Sequence, residues 1–192
     1  MLKKQSFKWN GIASFIPHNG HLAHPLNPYS KAIKVISSKR KKVDADFEEM
    51  AHLEFLGSLY WKKGEEPCIS PEVIRGVLIG KGGASRKQRM GKQAELGILI
   101  SQNAKLLYDG PQDPEKLWKD GGFRFDSIEK IGPSKIARTR PIFREWSAVV
   151  EIEYNTDFIN EETLGDLMAI AGAECGIGDR RPTHGRFDVE AL

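Results

Sequence analysis

Between residues 138 and 146 the chain reads Arg138-Thr139-Arg140-Pro141-Ile142-Phe143-Arg144-Glu145-Trp146, three arginines and two aromatic residues in a row of nine. A guanidinium offers a planar fork of donors that matches phosphate oxygens. An exposed Phe or Trp ring can stack on an unpaired base. Arg138, Arg140, Arg144, Phe143 and Trp146 are therefore candidates for contact with a single-stranded nucleic acid. The same pattern has a plainer reading, in which Phe143 and Trp146 anchor a core and the arginines pair with the acidic residues around them.

A second group runs from Cys175 through Gly176-Ile177-Gly178-Asp179-Arg180-Arg181-Pro182 to His184-Gly185-Arg186-Phe187. Glycines let a backbone approach a phosphate closely, and Arg180, Arg181 and Arg186 add charge there. It is not a P-loop, since no Gly-Lys-Ser/Thr follows at the required spacing. Nor is it a dinucleotide fingerprint, because it precedes a strand instead of opening a helix. A structural helix-to-strand turn is the alternative. Lys81, Arg86, Lys87, Arg89 and Lys92 form a third group, and Lys39-Arg40-Lys41-Lys42 extends it. Such charge tracks a phosphate backbone without reading sequence, or else solvates helix ends and loops.

His18, His21 and His24 recur at a spacing of three, but Pro17, Gly20 and Pro25 deny them a helix face. No carboxylate or cysteine cluster accompanies them, so no metal and no cofactor are expected. His18 alone remains a candidate general base for RNA cleavage. No Ser–His–Asp or Cys–His signature stands out, and the chain does not read as an enzyme.

The elements that must carry these residues follow from composition and pattern. The 192 residues are 40% hydrophobic and 29% charged, with two cysteines. That fits one folded domain and excludes a disulfide framework or a four-cysteine zinc site. No apolar run is long enough to span a bilayer. The opening MLKKQSFKWNG has lysines with no apolar stretch behind them, so a cytoplasmic protein is expected. Residues 1–92 carry 17 Lys/Arg against 8 Asp/Glu, whereas residues 93–192 carry 12 against 18. The split suits a basic surface for a polyanion, or complementary faces on which copies associate.

Ser6 to Ile16 reads as a first strand. Asn27-Pro28 marks an N-cap with proline at the first helical position, opening a helix to about Lys39. A second helix spans about Asp44 to Tyr60, and Ser70-Pro71 starts a third. Beyond residue 93 the pattern turns to strands: Leu96–Ile100, Ala104–Tyr108, Arg124–Ile131, Ser134–Thr139 and Ser147–Tyr154. Asp113-Pro114 begins a short helix, Asn160 caps another to about Ala171, and Arg186–Glu190 closes the chain as a strand. The order predicts an α+β fold, best met by a ferredoxin-like antiparallel sheet with helices on one face.

The closing helix, glycine loop and Gly185-Arg186-Phe187-Asp188-Val189 strand resemble the C-terminal glycine-rich loop and strand of the RAMP superfamily. These RRM-like proteins include the backbone and RNA-processing subunits of CRISPR effector complexes. Cys68 to Leu78 resembles that superfamily's helix after an Ile-Pro-x-Ser stretch. Asp179 and Pro182 depart from its loops. The whole chain is also similar to a group of tailed-bacteriophage and prophage proteins, through His24-Pro25-Leu26-Asn27-Pro28, Tyr108-Asp109-Gly110-Pro111 and Arg138 to Phe143. The resemblance implies a single RAMP-like domain over 1–192 with a basic helical insertion at about 27–95. It also implies single-stranded DNA or RNA on the sheet face or in a basic groove, coated or annealed by a self-associating protein. Alternatives are an anti-defence protein that mimics or blocks a host defence complex in the host cytoplasm, and a crRNA-processing-type endoribonuclease.

Overall fold

The structure is a computed structural model, and the residues it describes are 1–61 and 66–192; residues 62–65, inside the expected insertion, lie outside the described ones. In chain order its elements are β1 (Leu2–Gly11), α1 (Pro28–Ser37), α2 (Asp44–Ser58), β2 (Cys68–Ile69), α3 (Pro71–Leu78), α4 (Ala84–Lys87) and α5 (Gly91–Gly97). Then follow β3 (Ile98–Leu99), β4 (Ala104–Leu107), α6 (Pro114–Asp120), β5 (Arg124–Ile131), β6 (Ser134–Pro141), β7 (Ser147–Asn155), α7 (Glu161–Ile170) and β8 (Phe187–Ala191). The protein is α+β with antiparallel pairing throughout. Among the described residues no helix is long and apolar enough to cross a membrane.

The chain forms two compact units. The first comprises Met1–Ile16, Cys68–Asp109 and Phe143–Leu192; the second comprises Pro17–Pro67 and Gly110–Ile142. Thus the chain leaves the first unit twice, and α3 to α5, which sequence grouped with a single insertion over 27–95, belong to the first unit.

The first unit is built on a sheet in the order β2-β4-β7-β1-β8, with β3 pairing β7 as well. The period-two alternation of β7 sets its two faces. Ala148, Val150, Ile152 and Tyr154 point into the core and are fully or almost fully buried. Phe7 and Trp9 of β1 lie on the same face, fixed there by the register Phe7↔Val150 and Trp9↔Ala148. Helix α3 starts where Ser70 caps the Val73 N–H and Pro71 occupies the first turn. It turns Ile74, Val77 and Leu78 inward. Helix α7, capped by Asn160, contributes Leu164, Leu167 and Met168 and packs against β8.

The second unit pairs helices α1 and α2 with the two-stranded ribbon β5–β6. Asn27 caps α1 by accepting from the Tyr29 and Ser30 N–H groups. Glu54 of α2 accepts from Arg138 Nη1 at 3.0 Å and from the Thr139 backbone N–H at 3.0 Å, tying the helix to β6. His52 and Phe55 pack on Trp118, and the Arg124 guanidinium lies over the same ring, 3.9 Å from its centre.

Candidate nucleic-acid interface

The aromatic half of the arginine–aromatic segment belongs to the core. Phe143 is fully buried and stacks near Phe15 and Tyr108, with ring centres 6.2 and 4.7 Å away. Trp146 is 5% exposed, meets Phe15 and Phe187, and donates its Nε1–H to the Ala13 carbonyl at 2.9 Å. Neither ring presents a face to a base, so Phe143 and Trp146 do not supply the expected stacking. The reason lies in register: strand β7 and the turn before it aim these rings at β1 and the Phe15 bridge. The arginines of that segment divide likewise. Arg138 is paired with Glu54 and Arg140 is buried, both in the second unit, while Arg144 is an exposed residue of the first.

The open face of the first-unit sheet is equally unsuited to a strand of nucleic acid. RRM-type sheets hold bases on aromatic platforms. By the strand registers, the residues opposite the core face here include the carboxylates Glu151, Glu153, Asp188 and Glu190 against Lys4, Lys8 and Lys105, with no aromatic ring among them. Lys4 is held by Glu151 at 2.8 Å, and that hydrogen bond raises its pKa.

A different surface of the first unit gathers the basic residues. A groove of about 560 Å³ is lined by Gly82, Lys87, Glu174, Cys175, Gly178, Asp179, Arg180, Arg181 and Pro182. Two groups far apart in the chain, the basic segment after α3 and the glycine loop after α7, thereby meet at one place. The loop's shape depends on its glycines. Gly178 and Gly185 hold φ of +76° and +75°, and a Cβ on either would run into backbone, the Ile16 and Ile177 carbonyls respectively. The Asp179 N–H donates to the Ile16 carbonyl and the Gly185 N–H to the Ser14 carbonyl, which ties the loop to the segment after β1.

Within the groove Lys87 forms an ion pair with Glu174 at 2.9 Å, and that hydrogen bond raises its pKa. Cys175 forms part of the wall; burial pushes its thiol pKa up, so it is a poor nucleophile at neutral pH. Arg180 and Arg181 are exposed. Lys81 and Arg86 line a neighbouring cleft of about 540 Å³ with Arg75, Glu72 and Glu95, and Arg86 pairs with Glu95 at 2.9 Å. Arg89 and Arg186 are exposed but line neither cleft. Lys39, Arg40, Lys41 and Lys42 lie in the second unit between α1 and α2, where Lys39 pairs with Asp46. Comparison with protein-family models and with curated protein sequences returns no match.

The three histidines do not form a cluster of their own. The His18 carbonyl accepts from the Tyr60 hydroxyl, and His24 Nδ1 accepts from the Leu26 N–H. Among the described residues no group of three His, Cys, Asp or Glu is placed to hold a metal ion.

Arg180 adopts φ +57°, a left-handed conformation that glycine takes freely and arginine does not. A side chain kept there carries a cost of order 1 kcal/mol, and such residues concentrate at binding loops. Arg180→Gly is therefore expected to leave thermal stability unchanged or raise it by up to about 1 kcal/mol while weakening any anion held in the groove. Thermal unfolding monitored by circular dichroism, run beside a binding titration, checks both halves of this expectation.

Proposed function

We propose that the chain is a single-stranded nucleic-acid-binding protein that grips the phosphate backbone in the groove between the Gly176–Gly185 loop and Lys87. The observation that carries this reading is the convergence of Lys87, Arg180 and Arg181 on one groove walled by glycine backbone. Close backbone approach plus flexible cationic side chains suits phosphates, and the absence of exposed rings on the open sheet face argues against base stacking there. Binding is thus electrostatic, tolerant of sequence and steeply dependent on salt.

A ferredoxin-like, RAMP-like build belongs to the same proposal. Taking β1, β4, β7 and β8 as the four principal strands, with α3 and α7 in the crossovers, the sheet runs second, third, first, fourth. That order supports a βαββαβ plan interrupted by the segments 17–67 and 110–142. The glycine loop then falls between the second crossover helix and the last strand, the position from which the sequence resemblance came.

The test is fluorescence anisotropy of labelled single-stranded DNA, single-stranded RNA and duplex DNA, titrated with protein at two salt concentrations. Salt-dependent binding to the single strands is the expected result, and the better of the two identifies the natural polymer. No binding at low salt overturns the proposal and leaves a protein partner as the reading to pursue.

A further inference from the structure

We propose that the outer edge of β5 is a self-complementary docking edge through which two copies of this chain pair, strand against strand, about Ile128. This inference is independent of nucleic-acid binding. In the β5–β6 ribbon the two edges differ. Glu54 of α2 accepts the Thr139 N–H, so the outer edge of β6 is capped by a helix side chain. The outer edge of β5 has no strand partner among the described residues. A strand edge without a neighbouring strand invites pairing, and a two-stranded ribbon gains by extension.

The hydrogen-bond parity fixes which groups that edge offers. Thr139 points its N–H away from β5, and its register partner is Asp126. Asp126 therefore points its own N–H and carbonyl away from β6, and so do Ile128 and Lys130 two and four residues on. The Arg124 N–H, on the same parity, indeed leaves the ribbon to reach the Gly121 carbonyl at 3.2 Å. Asp126, Ile128 and Lys130 also share one exposed side-chain face, and Ile128 is 66% exposed.

Now place a second β5 antiparallel against this edge with the twofold axis through Ile128. Each Ile128 N–H meets the other copy's Ile128 carbonyl, and Asp126 stands opposite Lys130 twice over. The apolar pair lies at the centre with an opposite-charge pair on each side, all on one face. Shifting the axis by one residue towards the N-terminus sets Arg124 against Lys130, and by two sets Asp126 against Asp126. The charges thus select one register, and a symmetric interface of this kind closes as a dimer.

The experiment is sedimentation velocity on the full chain over a concentration series without nucleic acid. A concentration-dependent dimer is expected. Lys130→Glu alone and Asp126→Lys alone each place like charges across the axis and should raise the dissociation constant at least tenfold. An equimolar mixture of the two should dimerise again, since the mixed pair restores opposite charges at both positions. Ile128→Pro removes an outward N–H without touching the β5–β6 ladder and should give a monomer. A chain that stays monomeric to high micromolar concentration overturns the proposal. A dimer indifferent to Ile128→Pro, or charge variants that do not rescue one another, overturns it equally.

Discussion

Replacing Lys87 and Arg181 together by glutamate should reduce affinity for a short single strand by roughly tenfold to a hundredfold. It should also flatten the salt dependence by about 1.4 in the log–log slope, at about 0.7 for each phosphate left without its cation. The two side chains come from elements that only the fold brings together, so their joint effect reports the groove and not a local charge run. The sign of a neighbouring change sharpens the test. Glu174 holds Lys87 in the free protein, and an arriving phosphate must take that place. Glu174→Gln removes the competitor and should tighten binding several-fold while lowering the Lys87 pKa towards its ordinary value. Arg138→Ala, by contrast, abandons Glu54 in the second unit and should cost stability with little change in affinity. Lys87→Glu and Glu174→Gln shift net charge in opposite directions, so the same charge changes at exposed positions outside the groove are the control, and these should move affinity much less. Anisotropy titrations across a salt series measure all these variants, and an unchanged slope in the double variant would move the binding surface elsewhere.

Local signals in the chain were dependable wherever a residue type does one mechanical job. Asn27-Pro28, Ser70-Pro71 and Asn160 each cap the helix they announce. The alternation in β7 gives both its extent and its buried face. Boundaries set by partners were harder. Strand β1 begins at Leu2, four residues before the expected start, because nine residues pair with β7 in spite of the lysines among them. It ends at Gly11, where a Cβ would collide with the Trp146 indole. The stretch expected as a strand over Leu96–Ile100 is the end of α5 followed by only Ile98 and Leu99 in the sheet, since a short apolar run has no period that separates the two states. The groove could not be read from spacing at all. Lys87 and Glu174 are 87 positions apart, and the packing of α4 against α7 and the residues after it, with the loop tied to the segment after β1, brings the loop's arginines to Lys87. Which way an aromatic residue faces is likewise a property of register.

Trp146 is where that distinction has its largest expected consequence. A stacking residue and a core residue make opposite predictions on truncation, one losing ligand and the other losing fold. Trp146 fills the space left by Gly11, meets Phe15 at 5.5 Å and Phe187 at 6.0 Å between ring centres, and satisfies the Ala13 carbonyl. Trp146→Ala should therefore destabilise the protein by about 3–5 kcal/mol, combining the loss of apolar burial with the cavity left behind. Trp146→Phe keeps most of the ring packing and should lose the hydrogen bond, about 0.5–1.5 kcal/mol, plus a smaller packing deficit. Urea unfolding of the two variants beside the parent measures both steps. Binding per folded molecule should be unchanged in Trp146→Phe, because the ring has no open face to offer a base. The Lys87, Arg181 and Glu174 variants should show the reverse pattern, with stability within about 0.5 kcal/mol of the parent, as expected of exposed positions away from the core. If Trp146→Phe instead leaves stability intact and cuts affinity, the indole reaches the ligand after all, and the interface must include the turn between β6 and β7.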